Sequence, residues 1–165
     1  MKLLTAKDLE QIEWTTNPDK YAALKAGADP YNGLPGSLYG YDKAVDPDLK
    51  LDLEGGVIDL VRIRPLHVIE NHYHEQAEEN FSLIGDAPLR FYIRSGHVGK
   101  FDEFDFEPGQ VLRINANDEH RAFNTSGSVH AYLIRHATKK GTDYFSVEFK
   151  ELKDSGLLVP NPHDL

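Results

Sequence analysis

The stretch ENHYHEQAEENFSLIG, residues 70–85, sets two histidines one residue apart, follows them with the adjacent carboxylates Glu78 and Glu79, and then runs apolar into a glycine. Its spacing predicts a strand over 66–74, a polar turn, and a second strand over 80–84. Successive side chains of a strand point to opposite faces, so His72 and His74 project from the same face, close enough to share one ion. Glu78 comes four residues after His74, far enough for the chain to turn and bring a carboxylate back toward the imidazoles. Two imidazoles and one carboxylate suit Fe(II) and also accept Mn(II), Ni(II) or Zn(II), with positions left open for water, oxygen or substrate.

The chain around this stretch continues to alternate. Further β-branched and aromatic runs predict strands over 57–64, 89–94, 103–106, 110–114, 121–124 and 129–135, with Gly, Asn or Asp between them. In FDEFDFEPG, residues 101–109, Phe104 and Phe106 alternate with Glu103, Asp105 and Glu107, which puts one face on a core and an acidic face in water. Eight short strands without a ten-residue helical pattern between them predict an all-β barrel or jelly roll and exclude a parallel βαβ sheet. Some forty residues beyond the first histidines, GQVLRINANDEHRAFN, residues 109–124, supplies His120 as a fourth ligand from another strand.

On these residues the sequence resembles the cupin superfamily, through two motifs at once. The first, G-x5-H-x-H-x3or4-E-x6-G, is met by His72, His74, Glu78 and Gly85; the second, G-x5-P-x-G-x2-H-x3-N, by Gly109, His120 and Asn124. The resemblance implies a double-stranded β-helix in which His72, His74, Glu78 and His120 bind one divalent metal ion. Leu66 stands where the first motif begins with Gly, Asn115 where the second has Pro, and Asn117 where it has Gly. Asn tolerates the left-handed backbone better than other non-glycine residues, so Asn117 can make the turn; Leu66 reads as strand continuation. Glu79 in place of Glu78 would break the count to Gly85. His67, His97, His130 and His136 lack such context and read as structural, and His163 as solvated.

The flanks read differently, as an arm over 1–50 and a tail over 151–165 beside a barrel over 51–150. Thr5 three residues before Asp8 is a variant capping box for a short helix with Leu9 and Ile12 on one face. Asn17, Pro18 and Gly27 bracket a second helix over 18–26. Residues 29–46, rich in Gly, Pro and Tyr, read as a loop, and a helix over 146–155 competes with a strand over 144–149. Trp14, Tyr31 and Tyr39 on the arm are expected to cover the barrel or a neighbour's, and the family resemblance implies a homodimer.

With 27 acidic against 18 basic residues, net charge −9, the chain opposes nucleic acid and anionic membrane surfaces. No apolar run approaches the ~20 residues of a membrane span, and MKLLTAKDLEQIEW turns charged too early for a signal peptide, so the expected location is cytoplasmic. The absence of cysteine removes thiolate ligands and nucleophiles.

A metal in such a barrel can serve oxygen chemistry, hydrolysis or carbonyl polarisation. The leading expectation is an Fe(II)-dependent dioxygenase for a small polar, anionic molecule. A non-oxidative isomerase, epimerase or lyase of a sugar or hydroxy acid using Mn, Ni or Zn comes second, and a non-catalytic binding cupin third. Arg90, Tyr92 and Arg94 alternate with Leu89, Phe91 and Ile93, so that polar face either looks into the pocket, the arginines as anion clamps and Tyr92 as general acid or orienting donor, or pairs with surface Asp and Glu; Arg62 and Arg64 repeat the pattern. Glu79 is expected to transfer protons beside the ligands.

Overall fold

The computed structural model describes residues 4–15, 21–24, 38–139, 145–147, 154 and 158–160; for the strands within 21–24, 38–39, 145–146 and 158–160 only the backbone is described. In chain order the elements are a helix α1 (Ala6–Leu9), then β1 (Trp14–Thr15), β2 (Tyr21–Leu24), β3 (Leu38–Tyr39), β4 (Asp42–Ala44), a 3-10 turn (Pro47–Leu49), β5 (Leu51–Leu53), β6 (Gly56–Ile63), β7 (His67–Tyr73), β8 (Glu79–Ile84), β9 (Leu89–Arg94), β10 (Asp102–Phe106), β11 (Val111–Ile114), β12 (Glu119–Asn124), β13 (Ala131–Ala137), β14 (Phe145–Ser146) and β15 (Leu158–Pro160).

Two sheets face each other. One runs β1-β4-β6-β13-β8-β11 with β5 also on β6; the other runs β10-β9-β12-β7-β14 with β3 also on β7. Apart from the parallel β3–β7 pair, the described pairings are antiparallel. The alternation seen in the sequence sets the inner faces: Val61 and Ile63 of β6, Phe81 and Leu83 of β8, Leu89 and Phe91 of β9, Ala131 and Leu133 of β13 meet Ile69, Phe106, Ile114 and Ala122 in one core. Phe91 is 1% exposed and lies 5.5 Å from Phe106 and 5.7 Å from Phe81, ring centre to ring centre. Burying such side chains supplies about 1.5–3 kcal/mol each, the main force holding the sheets together. This is the all-β jelly-roll barrel that the alternation predicted.

The arm closes one outer face. Thr5 caps α1 through a reciprocal capping box with Asp8, and Leu9, Trp14, Leu60 and Tyr132 form a second apolar cluster on the outside of β6 and β13. The Trp14 indole donates to the Leu9 carbonyl at 3.0 Å, so Trp14 covers its own barrel. Tyr31 lies outside the described residues, and of Tyr39 only the backbone, in β3, is described.

Three local expectations need correction. The described part of the predicted helix over 18–26 is the strand β2, paired with β15; a backbone partner from the far end of the chain outweighs capping signals at 17, 18 and 27. The predicted loop over 29–46 contains β3 and β4, which join the two sheets. The third concerns Leu66, whose φ is 57°. His67 N donates to the Arg64 carbonyl at 3.0 Å, so the approach to β7 is a tight turn and not a strand continuation. Most of the predicted C-terminal helix over 146–155 falls outside the described residues, while β14 occupies part of the alternative strand.

Candidate metal centre

Three strands and one loop residue build the centre. His72 lies on β7 directly across from His120 on β12, their ring centres 4.1 Å apart. His74, one residue past β7, completes the trio at 5.1 Å from His72 and 5.7 Å from His120. The carboxylate comes from Glu79, the first residue of β8. One ligand atom from each of His72, His74, Glu79 and His120 lies within 4.8 Å of the others, a group able to hold a metal ion.

The expected ligand Glu78 is therefore replaced by its neighbour. In β8 the buried positions are Glu79, Phe81 and Leu83, so Glu79 shares the inner face while the Glu78 carboxylate turns out and accepts from Arg113 at 2.7 Å. Alternation outranks the motif's residue count to Gly85, and the apolar phase of Phe81 and Leu83 was the signal in the sequence that selects Glu79. Gly85 itself turns at φ 82°. Glu79, expected beside the ligands for proton transfer, thus stands within the group able to hold the ion.

The imidazoles are set for coordination. Nδ1 of His72 lies 2.7 Å from the Glu70 carbonyl oxygen and Nδ1 of His120 3.0 Å from that of Asp118. A carbonyl only accepts, so each Nδ1 carries the proton and each Nε2 is left to face the cluster. Glu79 Oε2 sits 3.0 Å from His120 Nε2 and 3.3 Å from His74 Nε2. Lone pairs gathered this closely in a buried place repel unless a proton or a cation stands between them, and the nitrogen and oxygen donor set matches a divalent transition metal. Burial, with His120 adding, holds His72 well below the usual imidazole range. Burial works against the Glu79 carboxylate, yet the adjacent His120 and His74 outweigh it and hold Glu79 well below the usual carboxylate range.

The turns that deliver these side chains follow the second motif. Asn117 takes φ 68°, the left-handed conformation of the motif's glycine, and its N–H donates to the His74 carbonyl at 2.7 Å. Asn115, in place of proline, ties the turn by donating to Asp118 at 3.2 Å. Asn124, fully buried, donates to the Ile63 and Val129 carbonyls at 3.0 and 2.7 Å; its role is to pin the loop after β12.

No family model matches the sequence, and no curated protein matches it significantly. Solved structures do match. The capsular polysaccharide assembling protein CapF from Staphylococcus aureus superposes with a TM-score of 0.53 at 14% identity, over 76% of this chain and 32% of that one. Bacillus subtilis oxalate decarboxylase, studied for its Mn(II) centres, gives 0.53 at 16% identity, over 66% and 28%. In fold the chain is similar to these two cupin-fold proteins. It spans about a third or less of the length of these structures, and at such identities the likeness carries the fold alone.

Within the barrel the polar face of β9 points away from the pocket side that its expected role requires. Leu89, Phe91 and Ile93 fill the interior, which turns Arg90, Tyr92 and Arg94 to the other face of the sheet, where Tyr92 is still buried. Arg90 pairs there with Asp105 at 2.9 Å and Glu103 at 3.2 Å. Arg94 pairs with the buried Glu119, which also accepts from Asn71 and meets His97 at 2.7 Å. Tyr92 packs under the Arg121 guanidinium. Arg62, likewise outside, pairs with Asp42 at 2.6 Å and lies over Trp14, and Arg64 lies 3.5 Å from the same Asp42 carboxylate. The alternation shows which residues share a face; that a jelly roll's inside is the apolar one decides which face it is.

The guanidinium that does look inward is Arg135 on β13. With Tyr41, His72, Glu79, Val61, Ile69 and Phe81 it lines a cavity of ≈ 20 Å³ beside the cluster, room for about one water-sized group. Arg135 Nε and Nη2 donate to the two Asp59 oxygens at 2.9 and 2.8 Å, and Nη1 reaches Glu79 Oε1 at 3.5 Å. Burial raises the Tyr41 hydroxyl above its ordinary value, against the pull of Arg135, so it stays protonated at neutral pH. Neither residue stood out in the sequence. Arg135 closes the predicted strand over 129–135, and the odd positions of that strand, Ala131 and Leu133, carry its phase.

Proposed function

We propose that this chain is a metal-dependent cupin enzyme for a small polar, anionic organic molecule, with Fe(II)-dependent dioxygenation as the favoured reaction. The observation that supports this reading is the convergence of His72, His74, Glu79 and His120 within 4.8 Å, next to a small cavity whose walls include Val61, Ile69 and Phe81. When bound, a redox-active metal supplies the activation of oxygen and substrate that these residues cannot supply themselves. Three neutral imidazoles and one carboxylate leave a divalent ion with net positive charge, which favours an anion. The chain's own part is to orient: β7 and β12 hold two imidazoles by backbone carbonyls, Phe81 and Ile69 exclude water, and Tyr41 offers a protonated hydroxyl at the cavity wall. Protein loaded anaerobically with Fe(II) should consume O2 when offered its substrate from a panel of small carboxylates and hydroxy acids. Turnover that continues unchanged under argon removes the dioxygenase reading.

Tyr41 supports a second reading, a non-oxidative isomerase, epimerase or lyase with Mn, Ni or Zn, because a partly buried, protonated phenol beside the ligands is suited to deliver a proton. Its mark is solvent deuterium in the product. For either reaction we propose a homodimer, to be checked by light scattering, and a cytoplasmic location; among the described residues no helix is long and apolar enough to cross a membrane.

A further inference from the structure

The ligand Glu79 is not held by the imidazoles alone. Arg135 and Asp59 are direct cross-strand partners on β13 and β6, and Glu79 on β8 lies opposite Ala137, two residues along β13 from Arg135. On one face of a sheet such diagonal neighbours come within reach of a long side chain. All three groups are removed from water: the side chains of Glu79, Asp59 and Arg135 are 2%, 6% and 15% exposed.

We propose, resting on the metal reading above, that Asp59 and Arg135 form a buried clamp that holds Glu79 by its Oε1 and so presents only Oε2 to the ion. The geometry divides the carboxylate in this way: Oε1 faces Arg135 Nη1 at 3.5 Å, while Oε2 faces His120 and His74. Asp59, which takes two donors of the guanidinium fork, fixes the plane in which the remaining Nη1 points. Lys43, 3.6 Å from Asp59, completes the row and links it to β4. Arg135 is thus a positioning residue. Its charge is matched by Asp59, so it steers the ligand without discharging it.

The test uses Mn(II) as the probe, with binding followed by loss of the free aqua-ion EPR signal and the bound ion by its EPR fine structure. Wild-type protein should take up one Mn(II) per chain. Arg135→Gln should weaken binding about 10- to 100-fold, the usual cost of losing a group that orients a metal ligand, and should change the fine structure as both Glu79 oxygens become available. Arg135→Lys, which keeps the charge but not the planar fork, should restore part of the affinity and not the spectrum. Asp59→Asn, which frees the fork without removing it, should shift the spectrum in the same direction, and it serves where Arg135→Gln fails to fold. Unchanged affinity and spectrum in the variants that fold overturn the clamp while leaving the metal site standing. Failure of the wild-type protein to bind Mn(II) overturns both.

Discussion

His120 and His72 face each other across the β12–β7 pairing at 4.1 Å between ring centres, although 47 residues separate them along the chain. Each is also tied through Nδ1 to the carbonyl two residues before it, so the backbone that pairs the strands aims the rings as well.

The neighbouring glutamates give a direct test of the ligand set. Glu79→Gln and His74→Ala should each lose most of the metal found by elemental analysis of protein purified without chelators. Glu78→Gln should retain it, since Glu78 is engaged with Arg113 at the surface. Equal retention in all three would refute the assignment.

Asn117 carries the turn before β12 at φ 68° with an exposed side chain. Asn117→Gly should leave stability within a few tenths of a kcal/mol, whereas Asn117→Ala should lower it by about 1 kcal/mol, the cost of a left-handed residue with an ordinary Cβ. Urea unfolding midpoints at constant slope read this difference.

Phe91 sits where both sheets meet. Phe91→Ala should cost about 3–5 kcal/mol, because the cavity between Phe81, Phe104 and Phe106 cannot collapse without moving a strand. A large drop in the urea midpoint is the expected result, and a shift of less than half that size would place the core elsewhere.

Burial, reinforced by Arg62, lowers His130 below its ordinary 6.5, against the pull of Asp42 and Glu10. The unfolded imidazole then takes up a proton more readily than the folded one. Stability from this source is full above pH ~6.5 and is lost as the pH falls below it. His130→Asn should flatten the stability profile between pH 7 and 5 in metal-free protein, measured against wild type so that the same-signed contribution of His72 cancels. An unaltered slope would rule the group out.

Alternation made the barrel legible, since a period of two with apolar residues on one side can bury itself only against another such sheet. The eight strands from β6 to β13 lie within about two residues of where the sequence places them. His72 and His74 were legible for the same reason, and His120 through the second motif. What escaped has two causes: β2 is a strand because the distant β15 lies beside it, whereas Glu79 is inward by the local phase of Phe81 and Leu83, which the motif count overrode. Arg135 escaped because its importance rests on Asp59 across the sheet, 76 residues away, a relation that no local window contains. Leu66 shows a further limit. Its left-handed backbone keeps the turn of the motif's glycine while the residue itself disguises it.

The ligands come from both sheets, with β8 on one side and β7 and β12 on the other. An excised peptide spanning 70–85 would carry two imidazoles and the carboxylate but not the strand that opposes them. An ion seated here would work as a rivet across the sandwich: it holds only while both leaves are in place, and prying either loose sets it free.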